Sequence, residues 1–346
     1  MQMYLTEMAI ESFSLTNGYS FQCAMSIRAK HMHWFRWACS GLLMLLGCLV
    51  ASQAAHAASV VWVVCSDRST QYEATVAAIT AELENGGVAR SEVVVAYLSD
   101  PGTIDPSVLN SGKLIITLGS EALAKTLVRD VRVPVLATLI PRGSFESLVK
   151  EPIRKPQAPV YALYLDQPFG RQLDLLHLAL PHAKRVGVIW GNGSAGNQLA
   201  LAASAQSRGM DLVVGRAAPD GSLAQGLRTI TDDAQVLLAI ADPSVFNSAT
   251  LPNILLATYR AQIPVLAFSQ AYVKAGALLS LYSTPEQIGF QAGALARSVL
   301  GGANLSHGQY LQEYTVGVNE HVARSLGLTL DAAQLSERLK RLERKP

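Results

Sequence analysis

The chain has 346 residues, a formal net charge of +2, 50% hydrophobic residues and 16% charged ones. That balance excludes a disordered chain and, with no basic cluster, a nucleic-acid surface, while the length suits about two domains with cores of their own. Four cysteines are too few for a disulfide scaffold, and no CxxC pair points to zinc.

Residues 1–24 carry no periodicity. Arg28, Lys30 and Arg36 then precede an uncharged apolar run at 37–51. The run is shorter than the ~20 residues of a membrane-spanning helix and suits the core of a signal peptide. Ala55-His56-Ala57 supplies the small-x-small pattern for cleavage. Residues 1–57 are therefore expected to be a signal peptide, with Met25 or Met32 as a later start and Ala58 as the first residue of a periplasmic protein. Leu45-Leu46-Gly47-Cys48 has the look of a lipobox, which keeps lipid anchoring at Cys48 open. Beyond the cleavage point Cys65 is the single cysteine, inside an apolar run, and is expected to be a core residue.

The remaining chain alternates strand and helix. Strands are predicted at 60–64, 92–98, 113–118 and 133–140, with helices at 70–85 and 121–129; a capping box of Thr70 and Glu73 opens the first helix. Residues 141–158, rich in Pro, Lys, Arg and Ser, read as a connecting segment. A second series follows, with strands at 160–165, 185–190, 211–217, 236–240, 265–268 and 277–281 between helices at 169–180, 195–208, 222–231 and 248–261. An amphipathic, glycine-spaced helix at 286–300, a segment at 310–318 and a polar helix at 332–342 complete the chain. The fold class is α/β, with two Rossmann-like lobes of parallel sheet.

Catalytic signatures are thin. His177, His182, His307 and His321 stand in no metal-ligand spacing, and no nucleophile elbow, Walker A loop or EF-hand loop occurs. Gly191-Asn192-Gly193-Ser194-Ala195-Gly196 is a literal GxGxxG between strand and helix. No acidic residue ends the next strand, where Val213-Val214-Gly215-Arg216 stands, so a glycine-rich turn with amides facing a ligand is preferred over dinucleotide binding. No cofactor, metal or enzymatic activity is expected.

Residues 161–194 (YALYLDQPFGRQLDLLHLALPHAKRVGVIWGNGS), then Ile263–Ser269, Lys274–Leu278, Gln287–Gly293 and Val318-Asn319 with Ala323–Leu328, carry a recognisable order. Over roughly 113–345 the chain resembles ABC-transporter substrate-binding proteins of the tryptophan/tyrosine-binding-like type, within the type I periplasmic binding fold. The first lobe departs from that pattern at Cys65–Thr70 and at Pro141-Arg142, so the resemblance does not carry over an aromatic amino-acid ligand. It implies a monomeric two-lobed flytrap that binds a small polar or amino-acid-like molecule and hands it to an ABC permease in the inner membrane. A sensor or accessory protein without transport, and a secreted α/β enzyme, are the alternatives. The lobes are expected at 58–158 plus about 283–316 and at 159–282 plus about 317–346, with hinges near 158–160 and 282–286.

In open α/β sheets ligands bind beyond the carboxyl ends of the strands. Those ends carry Ser66, Asp67, Ser120, Arg142, Asn192, Ser194, Asp242, Ser269 and Gln270, the expected ligand-binding residues. The resemblance places a small hydroxyl residue at Ser120 to hold a ligand carboxylate, with the positive end of the following helix behind it. Glu121 would compete for those amides, and Arg142 is expected to offset its charge or meet the carboxylate itself.

Overall fold

In β1 (Val61–Cys65), Val61, Val63 and Cys65 enter one apolar cluster and Val64 another, because a strand turns successive side chains to opposite faces. The computed structural model describes residues 61–344 except 102–104, 152–156, 192–194 and 219. The expected signal peptide, Cys48, Asn192 and Ser194 lie outside the described residues.

The chain continues as α1 (Thr70–Asn85), β2 (Val93–Tyr97), α2 (Pro106–Leu109), β3 (Leu114–Leu118) and α3 (Ser120–Leu127). Then come β4 (Val135–Ile140), α4 (Arg142–Lys150) and β5 (Val160–Tyr164). A second series holds α5 (Phe169–Ala179), β6 (Arg185–Trp190), α6 (Gln198–Gln206), β7 (Asp211–Arg216), α7 (Ala224–Asp233) and β8 (Val236–Leu238). It goes on through α8 (Leu251–Arg260), β9 (Val265–Ala267), α9 (Gln270–Ala275) and β10 (Leu279–Tyr282). Last are α10 (Pro285–Leu300), β11 (Gly308–Tyr310), β12 (Thr315–Val318), α11 (Glu320–Ser325) and α12 (Ala332–Glu343).

Two six-stranded sheets result, ordered β11-β5-β4-β3-β1-β2 and β12-β10-β9-β8-β6-β7. Every pair is parallel except β10 with β12. Apolar clusters cover both faces of each sheet, as sheets built mainly of parallel strands require. Cys65 is fully buried and its thiol is pushed up to about 12 by desolvation, which fits the core role read from the sequence.

Helix α10 leaves the second sheet and packs along α1 on the first. The glycine spacing seen in the sequence has its reason there. A Cβ at Gly289 would stand 2.5 Å from the Ala78 Cβ and 2.6 Å from the Thr75 carbonyl oxygen, and one at Gly293 would stand 2.7 Å from the Glu82 Cβ. Arg297 of α10 closes the contact on the buried Glu82 carboxylate.

Four local expectations are corrected. Residues 142–150 form a helix, not a connecting segment, because Phe145 is buried with Leu148 and Val149 packed beside it. Strand 160–164 pairs with β4 and β11 in the first sheet, although its apolar run reads as the opening of the second series. The 310–318 segment divides, β11 closing the first sheet and β12 the second. At α1 the N-cap is Ser69 and no side chain caps it, so the Thr70–Glu73 box does not form. Thr284 and Gln287 do form such a box at α10.

The chain thus passes between lobes three times, through 165–168, 283–284 and 311–314. The second passage lies at 283–284, and the first lies after β5 and not at 158–160.

Candidate functional site

All three passages leave or enter at the carboxyl ends of parallel strands, so those ends of both sheets are brought to one level. At that level α4 of the first lobe lies against the Ala195–Asn197 turn of the second. The candidate residues of both lobes stand at these strand ends.

On the first lobe, Ser66 bonds the β3–α3 junction at which Ser120 stands. Gly119 adopts φ 90°, a left-handed conformation that glycine tolerates, and turns the chain from β3 into α3. A Cβ at Gly119 would stand 2.5 Å from the Tyr72 hydroxyl and 2.6 Å from the Ser66 hydroxyl. The Ser66 hydroxyl donates to the Leu118 carbonyl (2.9 Å) and accepts from the Ala122 amide (2.9 Å). Burial pushes the Tyr72 phenol up, and its hydrogen bond with Ser66 acts the other way. Ser120 is the first helical residue and half-buried, and Gly119 holds the N-cap position. Asp67 is exposed and accepts from the Arg68 amide. Arg68 in turn pairs with Asp100 and lies over the Tyr97 ring at 3.9 Å.

Arg142 does not offset Glu121, which pairs with exposed Lys125 at 2.7 Å. The Arg142 guanidinium donates to the Glu146 carboxylate (2.7 Å) and the Tyr310 hydroxyl (2.9 Å). Its backbone amide donates to Asp166, a residue that the sequence reading passed over. Asp166 is half-buried. Desolvation pushes its carboxyl up to about 6, against the lowering effect of the amide it accepts and of the Arg142 charge. Just before Arg142 the β4 register shifts between Ala137 and Ile140, and Leu139 sits at φ 53°. A non-glycine residue there stores about 1–3 kcal/mol, held by the surrounding sheet.

On the second lobe Asp242 is buried and accepts from both the amide (2.9 Å) and the hydroxyl (2.6 Å) of Ser244. A Cβ at Gly191 would meet the Asp242 carboxylate at 2.7 Å, so Gly191 lets this loop approach the end of β8. Ser269 is the N-cap of α9 and makes no side-chain cap bond, while Gln270 is exposed. Beside them stands an aromatic group missing from the sequence reading. Phe268 and Tyr272 have ring centroids 4.8 Å apart, and Phe246 lies 6.2 Å from Phe268. Its signal was the pair of aromatics flanking Ser269-Gln270, which looks from sequence like ordinary core.

Cavities of about 560 Å³ beside the exposed Phe290 of α10 and about 460 Å³ beside the exposed Tyr259 of α8 open away from the strand ends. None of the residues expected from the sequence lines either. Among the described residues no three His, Cys, Asp or Glu side chains gather as a metal site, and no helix is long and apolar enough to cross a membrane.

Comparison with known proteins follows the same lines. Residues 147–340, more than half of the chain, match the family described as ABC transporter substrate binding protein. A curated "Tyrosine-binding protein" of Clostridioides difficile (strain R20291) is 23% identical over 218 residues, spanning 62% of this chain and 62% of the relative. Among solved structures, the ABC domain in complex with L-Trp from Streptococcus pneumonia is similar at a TM-score of 0.59 and 18% identity, covering 81% of this chain and 98% of that one. The ligand-free, open structure of a substrate-binding protein with adhesive properties from Clostridium difficile gives 0.60 and 20%, covering 79% and 96%. A conserved domain protein from Vibrio cholerae gives 0.58 and 20%, covering 80% and 98%. At these identities the structures establish the fold: two α/β lobes with mostly parallel sheets.

Proposed function

Because the chain belongs to the ABC transporter substrate-binding protein family, we propose that it captures a small amino-acid-like solute between its lobes, outside the cytoplasm, and delivers it to an ABC permease. Residues 1–57 serve in this reading as the export signal. The observation that supports the reading is the threefold passage of the chain between two sheets, each with polar residues at its strand ends.

The chemistry of the ends suits a zwitterion. Ser120 and the first amides of α3 present a hydroxyl and the positive end of a helix dipole to a carboxylate. Asp166 and Asp242 offer carboxylates to an ammonium group. The partly buried Phe268 and Tyr272 give an apolar or aromatic side chain a wall to pack on. That wall agrees with the ligands named for the relatives, tyrosine and L-Trp.

Thermal unfolding in the presence of L-tyrosine, L-tryptophan and the remaining amino acids tests the reading. A ligand at one hundred times its dissociation constant adds about 2.7 kcal/mol to the folded state. No stabilisation by any of them would remove the amino-acid assignment.

A further inference from the structure

The three passages between the lobes are tied to one another. Gln167 in the first is buried, and its side-chain amide donates to the Ser283 hydroxyl in the second at 3.0 Å. Ser283, also buried, donates to the Glu313 carbonyl in the third at 2.6 Å. Arg171, at the start of α5, donates from one nitrogen to the Gln167 side-chain oxygen (2.6 Å) and to the Leu311 carbonyl (2.8 Å). Its Nε pairs with Glu343, and its guanidinium lies 4.3 Å from the centre of the Tyr314 ring. Glu343 accepts from the Tyr314 hydroxyl at 2.9 Å as well. It stands at the end of α12, which Leu335 and Leu339 anchor in the second-lobe core.

We propose that this hydrogen-bonded chain from Gln167 through Ser283 to Glu313, braced by Arg171 and by Glu343 of the last helix, sets the balance between open and closed lobes. It thereby sets the affinity of the cleft without touching ligand. The proposal rests on the binding function argued above. Rotating one lobe against the other must change backbone torsions in all three passages at once. Bonds that join the passages cannot be indifferent to such a rotation, because a buried donor or acceptor left unpaired is costly. The bonds present here belong to an arrangement in which α4 meets the Ala195–Asn197 turn across the cleft. Removing them lowers the population of that arrangement, and apparent affinity falls with the competent fraction. Gln167, Ser283, Arg171 and Glu343 are positioning residues.

The experiment compares Ser283→Ala and Glu343→Gln with the unaltered protein and with Ser298→Ala, whose exposed hydroxyl bonds only its own helix. Calorimetry and stopped-flow binding use L-tyrosine as the probe, and small-angle scattering is recorded without ligand. Both network variants should weaken binding about fivefold or more, through faster dissociation, and enlarge the ligand-free radius of gyration. Ser298→Ala should change neither. In the Gln167→Ala/Ser283→Ala double variant the two effects should add to less than their sum. Folded variants with unchanged affinity and an unchanged ligand-free radius overturn the proposal. If Glu343→Gln fails to fold, Ser283→Ala alone decides. Failure of the unaltered protein to bind L-tyrosine rejects that ligand only, and the ligand-free scattering comparison still decides the role of the network.

Discussion

The Ser66 hydroxyl, at the end of β1, accepts the Ala122 amide in the first turn of α3 and donates to the carbonyl of Leu118 that ends β3, both at 2.9 Å. A residue 56 positions away thus does the capping that Ser120 would otherwise be expected to do. It separates two roles that strand-end serines share in the sequence.

Ser66→Ala should therefore lower stability by about 1–2 kcal/mol, seen in urea unfolding. Ser120→Ala should stay within about 0.5 kcal/mol of the parent and weaken ligand binding about tenfold, equivalent to about 1.4 kcal/mol. Calorimetry with L-tyrosine or L-tryptophan checks the second part. An unchanged dissociation constant would take Ser120 out of the site.

Asp166 supplies a pH dependence. Its folded carboxyl is raised from the ordinary carboxylate range to about 6, so folding disfavours its charged form. The penalty is absent below about pH 4 and complete above about pH 6, where it amounts to at most about 3 kcal/mol. Asp166→Asn, which keeps an acceptor for the Arg142 amide, should be more stable than the parent at pH 8 and equal to it at pH 4. A stability difference between the two that does not vary with pH would show that the carboxyl is not penalised.

Gly289 offers a packing test. Its missing side chain lets α10 approach the Thr75 carbonyl and the Ala78 methyl to distances no Cβ tolerates. Gly289→Ala should push the helices apart and cost about 1–3 kcal/mol despite its gain in helix propensity. A melting temperature at or above that of the parent would contradict the close contact.

Glu82 is buried, whereas its partner Arg297 is partly exposed. Arg297→Met leaves the carboxylate uncompensated inside the α1–α10 contact and should destabilise by about 2 kcal/mol or more. Glu82→Gln on the Arg297→Met background should recover part of that loss, measurable as a double-mutant cycle.

The apolar strand runs at 61–65, 114–118 and 185–190, the apolar face and glycines of α10, and the polar residues at strand ends were all legible in the sequence, because burial and turning are local properties of a few neighbouring residues. The first-lobe loop that ends in Arg142 was also legible as a candidate, but not its use: pairing with Glu146 and Tyr310 requires a residue 168 positions away. Which sheet receives 160–164, where 308–318 divides, and that Gln167, Ser283 and Glu313 join into one chain were decided only by the tertiary structure. An apolar run records that a strand is buried, not which partner it pairs with. Pairing is settled by contacts between segments far apart in sequence, and such contacts also bring Phe246, Phe268 and Tyr272 into one aromatic group.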